Sequence, residues 1–131
     1  MPDQTRIDLS AHRLKRAEEL ISEAETLFDA KRYRGANNRA YYAVFSAMRS
    51  VLAIDGADFK GHSGVIQYFQ KNYIKTGIFE KKYSDIITKA SIIRNASDYD
   101  DFYIASRDES KQQIEDAKDL LAAVNRYLSE I

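Results

Sequence analysis

With 131 residues, and acidic and basic side chains balanced at 20 each, the chain has room for one domain, taken as residues 1–131, and no global charge to attract a polyanion. Cysteine is absent and histidine occurs only as His12 and His62, which excludes disulfides, thiolate metal sites and a histidine cage, so no metal or other cofactor is expected. No apolar run approaches the ~20 residues of a membrane span, and Met1-Pro2-Asp3-Gln4-Thr5-Arg6 lacks a signal peptide's hydrophobic core, which makes the cytoplasm the default compartment.

Pro2 is the only proline, so nothing after it must break a helix. From about Leu9 to Lys31, Ala17, Leu20, Ile21, Ala24, Leu27 and Phe28 recur at three- and four-residue steps and predict an amphipathic helix. A second helix is predicted from about Tyr33 to Ile54, with Ala40, Tyr41, Val44, Phe45, Met48, Val51 and Leu52 on or near one face and Asp55-Gly56 as its stop. It follows so closely that the pair should form a hairpin. Ala57 to Gly61 reads as a loop. Val65, Ile66, Phe69 and Tyr73 suggest a shorter third helix, with Ser63 helping to cap it and Thr76-Gly77 ending it. Tyr83, Ile86, Ile87, Ala90 and Ile93 mark a fourth, from about Glu80 to Asp98, whose spacing puts Arg94 at the edge of the buried face. The last helix opens on Ser106-Arg107-Asp108-Glu109, a capping box, and runs through Ile114, Ala117, Leu120, Leu121, Val124 and Leu128. No strand run or repeat interrupts this pattern, so the fold class is all-α, an antiparallel bundle of four to five helices.

The densest polar stretch is Arg94-Asn95-Ala96-Ser97-Asp98-Tyr99-Asp100-Asp101, which closes the fourth apolar stripe. It brings a guanidinium, a carboxamide, carboxylates and a phenol within about two helical turns. Arg94 has two readings: an ion pair with Asp98 at the four-residue spacing, or a cation facing a ligand. Asn95 and Asp98 fit either a solvated helix end or ligand contacts. On the second helix Asn38, Arg39 and Tyr42 lie at three- and four-residue steps, offering amide, guanidinium and phenol groups suited to binding a phosphate and stacking a base. The plainer reading for at least one of Tyr41 and Tyr42 is a core-edge aromatic with a wet hydroxyl, and for the basic run Lys31, Arg32, Arg34 and Arg39 a solvated helix end serves about as well as an RNA contact. His62, framed by Gly61 and Gly64, is the one histidine in a turn that can swing a side chain over neighbouring helices.

Three blocks carry a family resemblance: Ala36-Asn37-Asn38-Arg39-Ala40-Tyr41-Tyr42-Ala43-Val44-Phe45, then Lys60-Gly61-His62-Ser63-Gly64-Val65-Ile66, then Arg94-Asn95-Ala96-Ser97-Asp98-Tyr99-Asp100. In that order, and over nearly the whole chain, the sequence resembles the short stand-alone HEPN-domain proteins of prokaryotes. The resemblance implies a four- or five-helix bundle that is often a homodimer and is commonly paired with a small nucleotidyltransferase in a toxin–antitoxin module. Many HEPN domains are metal-independent endoribonucleases in which an arginine and a histidine, separated by four to six intervening residues, meet at the dimer cleft. Here the position expected to hold that histidine is Tyr99, and no histidine follows His62. A phenol with an ordinary pKa near 10 is a poor proton carrier at neutral pH, whereas Arg94 keeps the role of stabilising phosphorane charge. Some partners of the family adenylylate a tyrosine two residues beyond the histidine; Asp101 stands there instead.

The expected function is therefore an interaction module binding RNA or a nucleotide through Asn38, Arg39, Tyr42, Asn95 and Asp98. Arg94, Tyr99 and His62 are the candidates for any catalysis. The expected partners are a second copy of the chain and a small nucleotidyltransferase. The alternatives are a metal-independent endoribonuclease with an unconventional site, or a purely structural dimerisation scaffold.

Overall fold

A computed structural model describes residues 2–131, and among them every regular element is helical. Helix α1 (Gln4–Asp29) begins ahead of its apolar stripe because the Asp3 carboxylate accepts a hydrogen bond from the Arg6 amide at 2.9 Å. Its buried face is Ser10, Arg13, Ala17, Leu20, Ile21 and Ala24, all at helical steps, with Leu27 and Phe28 packed at the edge of the core. The helix ends in a Schellman turn: the Lys31 amide donates to Phe28 O at 2.9 Å and the Arg32 amide to Leu27 O at 2.8 Å. Lys31 takes the left-handed position that such turns usually give to glycine, with φ 62°.

Helix α2 (Tyr33–Asp55) returns along α1 and is the spine of the molecule, touching α1 and each of the helices that follow. Gly56, at φ 70°, closes it as the Asp55-Gly56 pair predicts. Helix α3 (His62–Phe69) starts three residues ahead of the Val65 stripe, directly after an extended Gly61. No side chain caps it, and Ser63 lies inside the first turn, so the expected Ser63 cap does not form. A π-helical turn, Gln70–Ile74, follows. It rotates Tyr73 inward, where Phe69, Tyr73, Phe79 and Tyr127 join rings across the bundle.

Helix α4 (Lys82–Tyr99) buries Tyr83, Ile87, Ala90, Ile93 and Ser97. Helix α5 (Arg107–Ser129) is capped by the Ser106 hydroxyl, which accepts from the Glu109 amide at 3.1 Å. The capping box is only half formed, since the Glu109 Oε1 atom has no hydrogen-bond partner. The result is the all-α bundle expected, with Ala, Val, Leu, Ile and aromatic side chains from all five helices in one core cluster. Among the described residues no helix is long and apolar enough to cross a membrane.

Candidate functional site

Two buried side chains set the register in which α4 lies against α2. Asn37 donates to Ser97 Oγ at 3.1 Å, and one position further along each helix Asn38 donates to Asp98 Oδ2 at 2.9 Å. The two helices run antiparallel, so moving one turn along α2 moves one turn back along α4, and Tyr42 falls opposite Arg94. The Arg94 guanidinium donates to Tyr42 Oη at 2.9 Å and to Asn95 Oδ1 at 3.1 Å. Its Nε lies 3.1 Å from Asp98 Oδ2, an ion pair by distance although the Nε hydrogen is not directed at the oxygen. The ion-pair reading of Arg94 is met by Asp98, and one terminal nitrogen reaches across to Tyr42 of α2 while the other stays with Asn95 on α4.

Aromatic rings surround this cation. Its Cζ lies 5.4 Å from the ring centroids of Tyr41, Tyr42 and Tyr99, within cation–π range of all three. His62, at the first residue of α3, completes the group. Its Nδ1 is 2.8 Å from Tyr41 Oη, and its ring lies 4.4 Å from Phe45 and 5.7 Å from Tyr42, centroid to centroid. Burial, with the Arg94 charge adding to it, holds the His62 imidazolium pKa below the ordinary histidine value. Burial pushes the Tyr41 phenol up to about 12, with Tyr42 adding and Arg94 opposing. Tyr41 is therefore a hydrogen-bond donor at neutral pH. In the tautomer where it donates to Nδ1, the imidazole proton sits on Nε2. Desolvation works to lower the Arg94 pKa, but Tyr42, Tyr99 and Asp98 outweigh it and the net shift is upward, so the site carries a permanent cation.

Residues 10–127 match the HEPN domain family. The chain belongs to that family. Among its relatives are two proteins of Methanocaldococcus jannaschii named as candidate toxins and a UPF0332 protein of Thermotoga maritima. The first is 35% identical over 115 residues, 88% of this chain and 85% of the relative. The second is 27% identical over 115 residues, 88% of this chain and 78% of the relative. The Thermotoga protein is 28% identical over 117 residues, 89% of each chain.

Within this HEPN bundle the candidate residues are not equally placed. Arg94, Asn95, Asp98, Asn38 and Tyr42 form one connected network, and His62 joins it through Tyr41. Arg39 donates to Asn38 Oδ1 at 2.6 Å, but its Nε pairs with Glu23 of α1 at 3.0 Å, which turns much of its charge away from Arg94. Tyr99, the residue at the motif histidine position, is 72% exposed and contacts Arg94 through its ring face. The basic run from Lys31 disperses: Arg34 donates to the carbonyls of Asp100 and Tyr103 and ties down the connection after α4, while Arg39 faces α1. Sequence reasoning missed Tyr41, which orients His62, and Phe45, which packs on it. The signal was present in the spacing Tyr41, Tyr42 and Phe45, hidden by their resemblance to ordinary core aromatics. Among the described residues no group of three or more His, Asp or Glu side chains is placed to hold a metal ion.

Proposed function

We propose that this HEPN chain is a toxin-like module of the cytoplasm that binds RNA or a nucleotide at the Arg94 cluster, self-associates, and pairs with a small nucleotidyltransferase. The observation that carries the reading is the Arg94 guanidinium held among three tyrosine rings, with the Asn95 amide beside it. A fixed cation suits a phosphate, and the exposed Tyr99 ring and the edge of Tyr42 suit a base. The names of the two archaeal relatives support a toxin role. Exposed apolar side chains on α4 and the segment after it, Ile92, Phe102 and Ile104, supply a surface that an assembly would bury.

One observation favours a second reading, a metal-independent endoribonuclease. The imidazole missing from the motif position is present in space, because His62 shares the aromatic cluster of Arg94. Its lowered pKa keeps it neutral near pH 7, able to accept or relay a proton while Arg94 stabilises the phosphorane.

Labelled RNA incubated with the protein in excess chelator separates the two. The module reading expects binding without cleavage above background, whereas cleavage abolished by both Arg94→Ala and His62→Ala would establish the endoribonuclease. For the partners, sedimentation equilibrium at roughly tens of micromolar is expected to give a dimer, and a monomer alone would remove self-association. A nucleotidyltransferase encoded beside the chain should co-elute with it at low salt, where charge-assisted contacts are strongest. Separate elution would remove that partnership.

A further inference from the structure

Between Ala36 and Ala53, α2 is buried except at Asn38, Arg39, Tyr42, Phe45 and Arg49. After the adjacent pair Asn38 and Arg39 those residues recur at three- and four-residue steps and form one half-exposed stripe along the spine of the bundle. Arg94 and Asp98 of α4 flank one end, and His62 flanks the middle. At the other end stands a second cationic group. The Arg49 guanidinium lies 5.9 Å from the Phe45 ring centroid, on the ring that also packs against His62. Beside it is Arg13 of α1, buried, which donates to the Arg49 carbonyl at 3.1 Å.

These two cations share a single carboxylate. Asp58, on the exposed loop after α2, places the same Oδ1 atom 3.8 Å from Arg13 and 3.6 Å from Arg49. Both separations are too long for hydrogen bonds, so two guanidinium groups face one loosely held anion and retain a net positive charge. Burial and the Arg49 charge both act to lower the Arg13 pKa, and Asp58 is the opposing influence. A buried cation so weakly compensated gains from a better anion.

We infer that Arg49, backed by Arg13, is a second phosphate subsite, so that the ligand of the stripe is a single-stranded oligoribonucleotide rather than a mononucleotide. This rests on the reading of the Arg94 cluster as an RNA site. Tyr42, which holds Arg94, and Arg49 are seven residues apart on one helix, about 10 Å along its axis. One nucleotide's phosphate cannot engage both ends; a strand can, with a base over Phe45 or Tyr42 between them. Asp58 occupies the second subsite as an internal anion and is displaced when the strand binds.

The test compares a labelled hexauridylate with uridine monophosphate across a salt series, using wild type, Arg49→Ala, Asp58→Asn and Arg94→Ala, each checked for folding by circular dichroism. Arg49→Ala should lower the ratio of hexanucleotide to mononucleotide affinity about tenfold. It should also reduce the hexanucleotide salt slope by about 0.7, the loss of one phosphate contact on a single strand. Asp58→Asn should tighten the hexanucleotide severalfold by removing the competing carboxylate. If the ratio and slope of Arg49→Ala equal those of wild type while Arg94→Ala weakens both probes, the second subsite is refuted and the first stands. Binding of neither probe by wild type, or no effect of Arg94→Ala on either, overturns the RNA site and the inference with it.

Discussion

Replacing Arg94 with alanine should cost the folded protein about 2–3 kcal/mol. The Arg94 side chain is 15% exposed and its ion-pair partner Asp98 is 23% exposed, so its interactions are shielded from water on most sides. The hydrogen bond to Tyr42 is charge-assisted and contributes about 1.5–3 kcal/mol. The Asp98 pair at helical spacing adds about 0.3–1 kcal/mol, limited because Asp98 retains its bond from Asn38. Relief of the guanidinium's own desolvation offsets part of this sum. Urea unfolding followed by circular dichroism should show the midpoint falling by roughly 1–2 M at unchanged slope, given slopes of about 1–3 kcal/mol per molar for small domains. A cycle with Tyr42→Phe should give an interaction energy of about 1 kcal/mol or more. A loss below about 0.5 kcal/mol, or additive single changes, would refute the claim that Arg94 joins α4 to α2 through Tyr42.

Four further outcomes are expected. By NMR titration His62 should have a pKa below the ordinary histidine value, and Arg94→Gln should raise it by removing a nearby positive charge; a fall would contradict the assigned cause. Because the unfolded chain protonates His62 first, its contribution to stability is present above the unfolded pKa of about 6.5 and lost as pH falls toward the folded value. His62→Asn should therefore flatten the pH dependence of unfolding below neutrality. Lys31→Gly should stabilise the α1–α2 turn by up to about 1 kcal/mol by removing a side chain from the left-handed position, measured by thermal unfolding. Gly56→Ala should destabilise by about 1–2 kcal/mol, since φ is 70° and the added Cβ would lie 2.5 Å from an Arg6 nitrogen that must move; no loss in the same measurement would show the turn to be more tolerant than its geometry implies.

What the sequence disclosed follows from the range of each signal. The stripes of α2, α4 and α5 are local and periodic, so their faces and the Asp55-Gly56 stop were legible. The first turns of α1 lack a buried stripe and depend on one capping side chain, Asp3, which periodicity does not register. The π-helical turn at Gln70–Ile74, which holds the buried Tyr73, has no composition of its own. At the site, the four-residue rule brought Asp98 to Arg94, but Tyr42 lies 52 residues away and is placed by the Asn37–Ser97 register. The same limit concealed Arg49. Nothing beside it in the chain indicates that Arg13 and Asp58 converge on it.

The affinity of Arg94→Ala for an oligoribonucleotide tests the central claim most directly, measured by fluorescence anisotropy at a fixed low salt concentration where the variant is folded. If Arg94 grips a phosphate, binding should weaken by about 1.5–3 kcal/mol, roughly 10- to 150-fold. An unchanged affinity would contradict the account and leave Arg94 a structural link between α4 and α2.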